Sequence, residues 1–220
     1  MRNVVNCAYK DLKLAFHLSI VIYMFIGVGL FFAPNYPAYI GPFFVVMGIM
    51  TSFNMDLANH DREFCCIMPI SKADAVRGRV LAVALLEIFT ILACIPSAFL
   101  GSRFIDSLEG VTEVFIKPNC TLFAVVLLGY AIANMIIILA GYSKQFKVGI
   151  RGLICLLLYV LLIGAAEGIS RIPHLDFLRD NSADALMKQL PVLIGSIVIY
   201  VGFMLLTTKL AIKRFERANI

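Results

Sequence analysis

Six apolar runs divide this chain of 220 residues, at 14–32, 39–54, 80–100, 122–142, 152–166 and 190–208. Crossing a bilayer as a helix takes about 20 mostly apolar residues, whereas a barrel strand takes only about 9–11. Lipid offers no hydrogen bonds to an exposed backbone, so a chain built this way must satisfy its amides within helices. Composition agrees, with 61% hydrophobic and 15% charged residues; a soluble domain averages about 45–50% and about 25%. The reading is an all-α polytopic membrane protein with six transmembrane helices and one membrane domain over residues 1–220. The first run is longer than the core of a cleaved leader, and no A-x-A site follows it.

Orientation follows from lysine and arginine in the loops. One side carries Arg2, Lys10, Lys13, Arg62, Lys72, Arg77, Arg79, Lys144, Lys147, Arg151, Lys209, Lys213, Arg214 and Arg217. The other carries Arg103, Lys117, Arg171, Arg179 and Lys188, together with most of the loop carboxylates. The richer side is cytoplasmic, which places both termini there. The formal charge of +5 then reflects membrane orientation and not nucleic-acid binding, because the basic residues are spread over four segments. Cys94 and Cys155 fall inside spans, Cys7, Cys65 and Cys66 on the reducing side, and Cys120 alone near the outer face, so no external disulfide pair is available.

Several chemistries find no support. There is no G-x-x-x-x-G-K-[ST] phosphate loop, no H-E-x-x-H and no G-x-S-x-G elbow. No cofactor, metal or catalytic set is expected, and the loops leave little room for a soluble catalytic domain. Any energy for work must come from another chain.

The segment 56–79, between the second and third runs, carries the most specific pattern. A short amphipathic helix fits 59–68, with Phe64, Ile67 and Met68 apolar and Asp61, Arg62 and Glu63 polar. Pro69 breaks it, having no N–H to donate. Ser71 and Asp74 form the S-x-x-D start of a second helix, which runs on into the third span. Such a segment can act as a stiff lever or as an ordinary interfacial loop whose apolar residues dip into lipid.

This string resembles the signature of permease subunits in the ABC-2 branch of ATP-binding-cassette exporters. The resemblance rests on Asp61, Phe64 and the run Met68-Pro69-Ile70-Ser71-Lys72-Ala73-Asp74-Ala75-Val76-Arg77-Gly78-Arg79. Met68 stands where those chains typically have leucine, Arg79 where they have lysine, and the Cys65–Cys66 pair is a departure. The resemblance implies an ABC-2 exporter-like bundle in which Asp61, Arg62, Glu63, Phe64, Ile67, Met68, Pro69, Ser71 and Lys72 meet a separate ABC ATPase subunit. It further implies an interfacial helix over residues 1–13, an outer amphipathic segment over 168–189 closing the exit, and a second permease chain in a homo- or heterodimer. Val5, Tyr9, Leu12 and Phe16 recur at helical spacing opposite Lys10 and Lys13, as an interfacial helix needs.

Within the spans, Glu87 and Asn134 are the polar residues that matter. An ionisable side chain at mid-span costs at least about 2.5–3.5 kcal/mol, so Glu87 must face protein or water. Its neighbours along the helix face are Val80, Ala84, Ile91 and Cys94. It is either a polar site on the export path or at the permease dimer seam, or a carboxyl bonded to a neighbour such as Asn134, Thr90 or a backbone carbonyl. Gly129 and Ala133 form a small-x-x-x-small packing pair. Taken together, the residues point to a permease subunit of an ATP-driven exporter in the bacterial plasma membrane, hydrolysing nothing itself, with peptides or antibiotics as candidate cargo. The rival readings are a non-transporting accessory or sensor membrane protein and the substrate-capture component of a vitamin importer.

Overall fold

The computed structural model describes residues 2–15, 18–108, 117–142 and 148–217. Phe16, His17, Glu113, Lys144, Lys147 and the Arg62 side chain lie outside this set. The described residues form helices α1 (Arg2–Lys10), α2 (Leu18–Gly29), α3 (Ile40–Ala58), α4 (Asp61–Ile67), α5 (Lys72–Asp106), α6 (Cys120–Gly141), α7 (Val148–Ile169) and α8 (Ala183–Arg217). A π-turn, Asp11–Ala15, follows α1, and 3-10 turns cover Leu30–Phe32 and Asp176–Leu178. No strand occurs among the described residues.

Five of these helices are long and apolar enough to cross a membrane. Of the first apolar run, the described residues give a shorter apolar helix, Ile20–Phe32. The structure therefore supports a multi-pass membrane protein with five candidate spans among the described residues.

α6 is the most buried of the spans and α7 the least. The core surrounds α6, with Leu122, Tyr130, Ile137 and Ile138 packed against α3, α5, α7 and α8. Two phenols fix the inner geometry by bonding to backbone carbonyls at the start of α3. Tyr130 Oη donates to Pro42 O at 2.7 Å, and Tyr159 Oη donates to Tyr39 O at 2.6 Å. The Tyr159 ring also stacks on Phe43 at 4.0 Å and fits over Gly129. The glycine of the small-residue pair thus makes room for a tyrosine of α7.

At the basic end, α1 lies against α5 where Gly78 admits Cys7. Val5 and Tyr9 stay exposed, as an interfacial helix requires. At the opposite end, Asn119 caps α6 by accepting from Leu122 N and donates to Leu178 O at 3.0 Å. Gln189 donates to Phe177 O at 2.6 Å and to Asp180 O at 2.8 Å. The segment before the last span is held by these two amides. Its later part, 183–190, is continuous with α8, since Pro191 sits inside that helix without ending it.

α2 and α3 cross at Gly27 and Gly41, where a methyl on either would collide with the other's carbonyl oxygen. Gly29, two residues on, faces open space. A Gly27→Leu chain is therefore expected to lose about 1–3 kcal/mol by overpacking, read as a fall in thermal midpoint in detergent. Gly29→Leu should leave the midpoint close to wild type.

Candidate functional site

The segment after α3 turns sharply because His60 adopts a left-handed backbone, φ 53°. Histidine is among the few non-glycine residues enriched there. Asn59 closes α3, so the short helix begins at Asp61, two residues later than the periodicity predicts, and it ends at Ile67 before Pro69. Ser71 Oγ then accepts from Asp74 N at 3.0 Å, which caps α5 as the S-x-x-D pattern predicts. From that cap α5 runs unbroken for 35 residues, about 52 Å at 1.5 Å each. This exceeds the roughly 30 Å hydrocarbon core, so its first two turns project beyond the membrane.

α4 has two distinct sides. Phe64 is 56% exposed and Ile67 83% exposed, while Glu63 pairs with His60 Nδ1 at 3.5 Å. Pro69 and Ser71 are exposed, and Met68 and Lys72 are half-buried. Lys72 Nζ stands 5.2 Å over the Phe215 ring of α8. On the inner side, Lys10 Nζ donates to both Asp61 oxygens at 2.9 and 2.8 Å. Asp61 thus faces the protein and clasps α1, whereas Phe64 and Ile67 point away from it.

Beneath that clasp lies an ion cluster that the sequence reading did not assemble. Arg79 is buried. Its Nη2 donates to Asp56 Oδ2 and to Ser52 Oγ, each at 2.7 Å, and its Nη1 stands 3.7 Å from Asp11 Oδ2. The guanidinium also lies 4.6 Å over the Phe53 ring. Lys10, Asp11, Asp56, Asp61, Cys65 and Arg79 surround a cavity of about 30 Å³, about enough for one or two waters. Burial raises the Asp11 carboxyl above the usual range, against the pull of Arg79 and Lys10. Burial opposes the charge on Lys10, but the Asp61 hydrogen bond and the neighbouring carboxylates outweigh it and hold the ammonium above the usual lysine range. Burial, with Asp61 nearby, pushes the Cys65 thiol up to about 11.

Deeper in the bundle, Glu87 on α5 is buried beside α6 and α8. Asn134 Nδ2 donates to its two oxygens at 3.0 and 2.9 Å, and Tyr200 Oη donates to Oε2 at 2.6 Å. Asn134 is thus a partner, as its position suggests. Thr90 is not: its hydroxyl donates to Leu86 O at 2.8 Å. Tyr200 could not be foreseen, because it lies 113 residues away and nothing in the local pattern of α8 marks it.

These features define a class: a multi-pass helical membrane protein with a short exposed helix at its basic end, joined rigidly to a span. The sequence model of the ABC-2 family transporter protein matches residues 7–216, and the chain belongs to that family. No curated protein and no solved structure matches it. The chain is accordingly a membrane domain of an ABC transporter, and the family's members are membrane components that work with an ATPase.

Two predictions follow from these clusters. Arg79→Leu leaves Asp56 without its counter-charge and Asp11 with Lys10 alone, and should cost about 3–5 kcal/mol. The raised Asp11 carboxyl binds a proton more readily folded than unfolded, so protonation favours the fold as pH falls through that window. The thermal midpoint of Arg79→Leu should therefore recover on going from neutral pH towards pH 5. Glu87→Leu orphans the Asn134 amide and the Tyr200 hydroxyl, at about 1–3 kcal/mol each, a loss measurable in the same melt.

Proposed function

We propose that this chain is the permease half of an ATP-driven exporter and that α4 docks into a separate ATPase subunit. One observation carries the reading. Phe64 and Ile67, large apolar side chains on a seven-residue helix at the basic end, are turned outward while the helix is held from behind by Lys10–Asp61. A helix free to tumble would turn such residues into the bundle or the lipid; this one presents them on a fixed support. Buried aromatic and aliphatic anchors of this kind dominate binding at protein interfaces.

In this reading Asp61 orients the helix, Arg62 and Glu63 meet polar groups on the partner, and Phe64, Ile67 and Met68 fill its groove. Pro69, Ser71 and Lys72 fix the angle at which α4 hands its motion to α5. The region that ends in Leu30–Phe32 serves as the first of six spans, with local bilayer thinning or snorkelling of flanking residues accommodating any shortfall in length. Both termini then lie in the cytoplasm of a bacterial cell, α1 rests on the inner surface, and a second permease chain, identical or related, completes the path. The last segment before α8, tied by Asn119 and Gln189, closes the outer end. Glu87 and Asn134 serve helix association more than cargo, since both are engaged with one another and with Tyr200. Peptides and antibiotics are the cargo class.

The test is capture of the ATPase encoded beside this chain by the tagged permease from solubilised membranes. Phe64→Asp and Ile67→Asp should each reduce capture at least about tenfold, the loss of one buried anchor of about 1.4 kcal/mol or more, with unchanged elution in size-exclusion chromatography. Full ATPase capture by both variants would remove α4 as the contact.

A further inference from the structure

A second feature of the basic end is built by α6, α7 and α8. α6, α7 and α8 enclose an open trough of about 480 Å³, within the range of about 300–1,000 Å³ typical of ligand sites. Its walls are Ile132 and Ile136 of α6, Ile154 and Leu158 of α7, and Phe203 of α8. Its mouth carries Arg151 and Arg214, and among the described residues no carboxylate lines it. Arg214 Nη1 donates to Leu139 O at 2.6 Å, and Arg151 Nη1 donates to Ala140 O at 3.3 Å. Those carbonyls belong to consecutive residues of the last turn of α6. The two guanidinium groups therefore stand side by side at the C-terminal end of α6.

The dimensions indicate the occupant. From Ala140 to Ile132 the α6 wall descends eight residues, about 12 Å, and from Arg214 to Phe203 the α8 wall descends eleven, about 16 Å. One leaflet of hydrocarbon is about 15 Å deep, half of the roughly 30 Å core. The trough is thus one leaflet deep, apolar along its length and doubly cationic at the mouth. Arginine forks match phosphate oxygens in geometry as well as charge, and basic pockets between spans on the cytoplasmic side suit anionic headgroups.

We propose that this trough is a binding site for one anionic glycerophospholipid of the inner leaflet, an acyl chain lying along α6 and α7 and the phosphate held by Arg151 and Arg214. The lipid would brace α7, the least buried of the spans, against α6 and α8.

The experiment uses the full chain purified in detergent and titrated with dioleoyl phosphatidylglycerol or dioleoyl phosphatidylcholine, with bound lipid counted by native mass spectrometry. Phosphatidylglycerol is expected to bind on the order of tenfold more tightly, from two arginines near the headgroup. Arg151→Gln with Arg214→Gln should erase that preference, Arg151→Lys with Arg214→Lys should keep most of it, and Leu158→Trp should expel both lipids from the trough. Equal binding of the two lipids by the wild-type chain overturns the proposal. So does a preference that survives the double glutamine variant while its thermal midpoint falls, since the arginines would then only cap α6. Undiminished phosphatidylglycerol binding by Leu158→Trp, or a crosslink through Leu158→Cys to a second copy in intact membranes, also overturns it. The readout needs no ATPase, so it stands or falls apart from the docking of α4.

Discussion

A guanidinium cannot be left bare among hydrocarbon, and the basic end of this protein is arranged around that fact. Arg79 lies about two turns into α5, buried, with Asp56, Ser52 and Asp11 gathered to it and Phe53 beneath it. Those partners come from α3 and the turn after α1. A charge pair buried this way is weak evidence for net stability, because desolvation offsets much of the attraction. It does, however, fix geometry: any displacement of α1 or α3 relative to α5 uncovers a charge. Lys10, adjacent to Asp11, extends the same network to Asp61, and through it the position of α4 becomes a consequence of where Arg79 sits.

The three depths of the bundle solve the polar problem differently. At the basic end the groups are ionic and edge a small cavity, where water can share the load. At mid-span Glu87 is met by neutral donors, Asn134 and Tyr200, from the two helices packed most closely together, α6 and α8. At the far end the carbonyls of an irregular segment are met by the amides of Asn119 and Gln189. Charge is thus concentrated where water is near and gives way to neutral hydrogen bonds further in, as the cost of burying ions demands.

The helices themselves were legible in the chain because each apolar run carries its own signal. So were the Ser71 cap, the break at Pro69 and the Glu87–Asn134 contact, all of which rest on local spacing or on a polar residue having nowhere else to go. The Arg79 cluster was not. Arg79 reads as one more positive-inside residue, and only the packing of α1 back onto α5 at Gly78 shows that it is enclosed. Asp61 was placed in the outer contact by the family resemblance; its carboxylate accepts from Lys10 of α1, while Phe64 and Ile67 are exposed. The start of α4 shifted for a local reason: a left-handed His60 carries no pattern in sequence and uses up two residues in the turn.

These pieces bear on how a push at α4 would travel. α4 is joined to α5 by a turn of only four residues that contains a proline and ends in a hydrogen-bonded cap. Few soft torsions are left there. Lys10 ties the same short helix to α1, which rests on Gly78 of α5. Two routes therefore converge on one helix, one covalent and one ionic, and both end above Arg79. Moving α4 without α1 would require breaking the Lys10–Asp61 bonds. Moving α5 without α1 and α3 would uncover the buried Arg79 charge, a cost of several kcal/mol. The low-energy response to a force on α4 is thus a joint shift of α1, α3 and α5, which keeps Arg79 paired while it carries Glu87 along.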